Sequence, residues 1–94
     1  MKYIVKDIID NTTNKTRTEE LYAPYLGKQC DVGTYVSAFD DEIILGAPVV
    51  IAKNDRAIVT SKVMNTNTEG DYTYIKTRNS TYVLERVDDD AIIL

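Results

Sequence analysis

Ile58-Val59-Thr60-Ser61-Lys62-Val63-Met64 and, after a polar interval, Tyr72-Thr73-Tyr74-Ile75-Lys76-Thr77-Arg78-Asn79-Ser80-Thr81-Tyr82-Val83-Leu84-Glu85-Arg86-Val87 hold the densest run of β-branched and aromatic residues in the chain. Two breaks divide this run into three strands. The first, Asn65-Thr66-Asn67-Thr68-Glu69-Gly70-Asp71, is built from residues that favour turns and bury little, and it reads as a hairpin loop. The second is only Arg78-Asn79-Ser80. Three polar residues can reverse a strand but cannot carry a crossover to a parallel neighbour, so the unit is expected to be an antiparallel meander.

Upstream, Tyr3-Ile4-Val5-Lys6-Asp7-Ile8-Ile9 favours a strand by residue type, with Tyr3, Val5 and Ile9 expected on one side and Ile4 and Ile8 on the other. Thr16 followed by Glu19 fits a capping box, and Pro24 forbids a long continuation. One or two helical turns ending near Tyr25-Leu26-Gly27 are therefore expected. Cys30, Val32, Thr34 and Val36 share a face by alternation, which makes Cys30 a small buried hydrophobe rather than a nucleophile. Asp40-Asp41-Glu42 reads as an acidic loop, Ile43-Ile44-Leu45 and Val49-Val50-Ile51-Ala52 as apolar runs around the break Gly46-Ala47-Pro48, and Lys53-Asn54-Asp55-Arg56 as a turn into the meander. Six or seven short, closely spaced strands with one helical turn suit a small closed barrel better than an open sheet. The end, Asp88-Asp89-Asp90-Ala91-Ile92-Ile93-Leu94, reads either as a closing strand beside the first one or as an apolar element docking on another subunit or a partner through Ile92, Ile93 and Leu94.

With 94 residues the chain has room for one domain, residues 1–94, burying roughly 60 to 65% of its unfolded surface. A single cysteine permits no internal disulfide, and the absence of histidine removes the commonest metal ligand and general base, so no metal or cofactor is expected. The charged N-terminal stretch does not read as a signal peptide and no apolar run approaches a membrane span, so a cytoplasmic location is expected. A net charge of −4 gives no general attraction for nucleic acid. Phosphate loops, nucleophile elbows and Cys-X-X-Cys pairs are absent, and the adjacent carboxylates read as solvated, so no enzyme is expected.

The meander carries the richer signal. Alternation places Tyr72, Tyr74, Lys76 and Arg78 on one face and Thr73, Ile75 and Thr77 on the other, with Ile75 in the core. Rings alternating with cations can stack a base and neutralise a phosphate. An outer face of ordinary cross-strand pairs accounts for the same residues.

Lys15-Thr16-Arg17-Thr18, Pro24-Tyr25-Leu26-Gly27-Lys28, Val59-Thr60-Ser61 and Lys76-Thr77-Arg78-Asn79-Ser80-Thr81-Tyr82-Val83-Leu84-Glu85 together resemble stretches of small phage and prophage proteins. The resemblance implies an SH3-like small antiparallel barrel, mainly β, of about six strands, and an origin in a mobile element. It transfers no catalytic residue. The expected function is a non-enzymatic accessory, counter-defence module that sequesters a nucleotide signal or a host protein. A nucleotide would meet Lys76 and Arg78 through phosphate, Tyr72, Tyr74 or Tyr82 through stacking, and Thr77, Asn79 and Ser80 through polar contacts. A small-barrel nucleic-acid binder and a structural component of a virion are the alternatives.

Overall fold

The computed structural model describes residues 2–34, 43 and 45–87. Six strands follow in order: β1 (Lys2–Asp10), β2 (Gln29–Thr34), β3 (Pro48–Lys53), β4 (Arg56–Glu69), β5 (Tyr72–Thr77) and β6 (Ser80–Arg86). Each pairs antiparallel with its sequence neighbours, and β6 returns to β1, so the sheet closes into a ring. A small, mainly β antiparallel barrel with one short helical turn is thus the architecture found, as the spacing of strands and turns implied. Closure leaves one interior, filled by Val5, Ile8, Val32, Val49, Ile51, Ile75 and Leu84, with Tyr3, Tyr25 and Tyr82 completing it.

Strand phase departs from simple alternation where the chain bulges. Between Val5 and Asp7 the β1–β6 register shifts, so Lys6 is an extra residue and the inward face passes from Val5 to Ile8. Tyr3, Val5 and Ile8 therefore point inward while Ile4 and Ile9 are only half-buried, which corrects the two faces expected from unbroken alternation. β4 bulges twice. Its register shifts against β3 between Pro48 and Val50 and against β5 between Val63 and Asn65, and these shifts carry one long strand from β3 across to β5. At the first bulge the buried Thr60 hydroxyl accepts the Val49 N–H at 3.0 Å and donates to the Ser61 carbonyl at 2.7 Å, so the irregular backbone costs no buried hydrogen bond.

The hairpin loop expected over residues 65–71 shrinks to Gly70-Asp71. Asn65, Thr66, Asn67 and Thr68 continue β4, with Thr66 opposite Ile75, and the Thr68 and Thr73 hydroxyls meet across the ladder at 3.3 Å. Threonine tolerates a pleated surface, and only Gly70, at φ 60, supplies the left-handed residue that the reversal needs.

The helical segment expected from Thr16 is shorter and later than the capping box implied. Thr16 bridges Ile9, and its hydroxyl donates to Asp7 at 2.8 Å instead of capping a helix. Residues 15–17 run along β1, with the Asp10 N–H on the Lys15 carbonyl and the Arg17 N–H on the Ile8 carbonyl. An exposed strand edge offers these backbone groups a better partner than a first helical turn does. Among the described residues helical geometry is confined to the 3-10 turn Ala23–Tyr25, which seats Tyr25 in the core. The chain then enters β2 through Gly27, left-handed at φ 73, whose N–H donates to the Val5 carbonyl at 2.7 Å.

Of the run Ile43-Ile44-Leu45, Ile43 packs against the core and Leu45 is exposed in a turn; neither lies in a strand. The ring is closed by β6 against β1, from Tyr3 opposite Arg86 to Asp10 opposite Ser80, whereas the expectation of a closing strand or docking element falls on the C-terminal stretch. That stretch, with Ile92, Ile93 and Leu94, and the acidic loop at Asp40, Asp41 and Glu42 lie outside the described residues.

Candidate functional site

β4 is longer than either neighbour, and its two halves have different partners. From Arg56 to Lys62 it pairs with β3; from Val63 to Glu69 it pairs with β5. Its first half thus has no strand among the described residues on the side away from β3. There the ring splays into a cleft of about 330 Å³, lined by residues 57–61 of β4, by Leu21 and Tyr22 from the preceding loop, and by Asn79, Ser80 and Tyr82. A second hollow of about 470 Å³, lined by Glu20, Leu21, Tyr25, Arg56 and Ala57, shares Leu21 and Ala57 with the first.

Arg17 braces the far wall through Asn79, Ser80 and Tyr22. Its Nε donates to the Ser80 hydroxyl at 2.8 Å and a terminal nitrogen to the Asn79 carbonyl at 3.1 Å. The other terminal nitrogen lies 3.6 Å from Asp10 and 3.9 Å from Glu19, and the guanidinium sits 5.2 Å from the centre of the Tyr22 ring. Its charge is neutralised locally, so Arg17 positions the wall rather than offering a free cation. Asn11 fastens the same turn: its side-chain nitrogen donates to the Thr77 carbonyl at 3.0 Å and its oxygen accepts the Thr81 hydroxyl at 2.7 Å. Burial pushes the Tyr82 hydroxyl above its ordinary range, partly offset by a hydrogen bond from Ser80 and by the Arg17 charge, so the ring faces the cleft uncharged at neutral pH.

The residues singled out in the meander divide between two places. Tyr72, Tyr74 and Lys76 lie on the outer face of β5, as alternation implied, with Thr73, Ile75 and Thr77 beneath them. A hydrogen bond to the Glu85 carboxylate ties down the exposed Tyr72 hydroxyl and is the first cause of its raised pKa. Arg78 is exposed at the β5–β6 turn. Thr77 points inward, and its hydroxyl donates to the Ser80 carbonyl at 3.0 Å while accepting the Ser80 N–H at 3.2 Å, which leaves it little capacity for a ligand. Asn79, Ser80 and Tyr82 reach the cleft. The eight residues therefore form no single surface, because the turn passes Ser80 and Tyr82 to the interior side. Arg17, Leu21, Tyr22 and Val59 were missed. Arg17, Leu21 and Tyr22 join Asn79 and Ser80 across about sixty residues of sequence and Val59 across about twenty, which no local pattern reveals.

Cys30 is buried, as its alternation implied, and its thiol lies 3.6 Å from the Lys28 carbonyl. Burial raises its pKa, with Lys53 acting in the opposite sense. Among the described residues there is no cluster of three or more metal-ligating side chains, and no helix is long and apolar enough to cross a membrane. Comparison with known protein families, with curated proteins and with solved structures finds no match to this chain.

Proposed function

We propose that this protein is a non-enzymatic accessory binding module of the phage or prophage type, acting in counter-defence by capturing a host protein in the cleft beside β4. What favours a protein ligand is the side of β4 away from β3: an edge that no strand among the described residues pairs, flanked by exposed apolar side chains, Leu21 at 61% and Val59 at 52% exposure. Such surface is costly to leave in water unless something covers it. The phage and counter-defence part of the proposal rests on the sequence resemblance. A nucleotide signal is the second reading, favoured by the convergence of Tyr22 and Tyr82 with the polar groups of Asn79, Ser80, Thr60 and Ser61 in one cleft of ligand size.

Affinity capture from host cytoplasm with the wild type, Val59→Arg and Tyr74→Ala separates these sites. The cleft reading predicts a stoichiometric partner held by the wild type and Tyr74→Ala and lost by Val59→Arg. A partner lost by Tyr74→Ala and kept by Val59→Arg would move the site to the outer face of β5. Native mass spectrometry of the same preparations serves the second reading: added mass in the nucleotide range, absent from Val59→Arg, would favour a nucleotide.

A further inference from the structure

β3 and β4 are joined by the two-residue turn Asn54-Asp55, with Lys53 opposite Arg56. In such a hairpin the pair flanking the turn exchanges hydrogen bonds, and bonded pairs recur at every second position. Arg56 and Ile58 thus direct their N–H and C=O groups to β3. Ala57 and Val59 direct theirs the other way, into the cleft, where no strand among the described residues meets them. From residue 56 to residue 68, β4 carries Arg56 and Lys62 and no carboxylate, although the chain as a whole is acidic. Arg56, Lys62 and the nearby turn residue Arg78 are all exposed, and none forms a salt bridge among the described residues. Exposed Val59 lies between the first two, and Leu21 faces β4 across the cleft.

A row of alternate backbone donors and acceptors with an apolar wall on one side and cations at both ends has the requirements of an incoming strand: extended backbone, apolar side chains on one face, carboxylates at the ends. We propose that the cleft-side edge of β4, over residues 57–61, takes an extended segment of a partner protein as an added β-strand, with alternating apolar side chains and acidic ends. This deepens the host-protein reading and rests on it.

The probe is the synthetic peptide acetyl-Asp-Thr-Val-Thr-Val-Thr-Asp-amide, titrated into the isotope-labelled protein and followed by amide shifts and amide exchange. Saturable shifts centred on residues 57–61, with new exchange protection at Ala57 and Val59, are expected. N-methylation of the peptide at alternate residues should abolish binding in one phase and spare it in the other. Replacing both terminal Asp by Lys should weaken binding several-fold, and Lys62→Glu should reduce that preference. Val59→Pro removes a cleft-facing donor without removing a bond to β3, and should lose binding; Lys62→Glu reports independently should Val59→Pro fold poorly. Binding indifferent to both N-methylation phases, or shifts confined to Tyr72, Tyr74 and Lys76, would overturn the added strand. Absence of binding by every peptide, while Val59→Arg still strips the captured partner, would overturn the added strand and leave the cleft reading standing. Absence of both would remove the two together.

Discussion

Ile75 has no exposed surface, and it lies between Thr66 of β4 and Tyr82 of β6 in the middle of the meander. Ile75→Ala leaves a void that a closed ring cannot collapse around, and a loss of about 2–5 kcal/mol is expected in urea unfolding, with the m-value retained. Its position was legible because β5 alternates without interruption from Tyr72 to Thr77. Cys30 was legible for the same reason, and its burial sets a direction in pH. The thiol's pKa is raised in the folded state above its ordinary value of 9.0, so the folded protein holds its proton where the unfolded chain releases it. The stabilisation is complete below pH 9.0 and is lost as pH rises through the folded value. Urea midpoints should therefore fall above that pH, and Cys30→Ala should show a shallower fall, the remainder including Tyr82, whose hydroxyl is raised in the same direction. An equal slope in Cys30→Ala and wild type would show that the thiol titrates alike in both states.

At the scale of elements, sequence and structure part where the chain leaves regular geometry. A single extra residue, Lys6, inverts the inward phase of β1, and a bulge has no signature in a pattern of polar and apolar letters. The Thr16 and Glu19 pair carries a helix-start signal, yet the edge of β1 beside it takes the backbone of residues 15–17 first, so tertiary pairing overrides local propensity. β4 is the element that matters most. It was read as seven residues followed by a loop, and it runs from Arg56 to Glu69 because Thr66 and Thr68 accept strand geometry and their cross-strand partners fix the register. That added length is what gives β4 one partner per half, and hence an edge that no strand among the described residues pairs. The cleft was not legible, since it is made by strand lengths and register rather than by a motif.

Across the whole molecule, a ring of antiparallel strands is closed by β6 against β1, and the cleft lies where β4 passes from β3 to β5. The loop before β2 seats Tyr25 inside the barrel and sets Leu21 and Tyr22 against β4, while Arg17 ties that loop to the β5–β6 turn. The site is thus a property of the closed fold, held by groups from three distant parts of the chain. Residue-resolved amide hydrogen exchange of the free protein tests this most directly, because it reads which side of β4 is paired. The amides of Ile58 and Ile75 should exchange slowly, and those of Ala57 and Val59, one residue to either side of Ile58, should exchange fast. Protection of Ala57 and Val59 equal to that of Ile58 would mean that the edge is already covered in the free protein, and would contradict its assignment as a docking site.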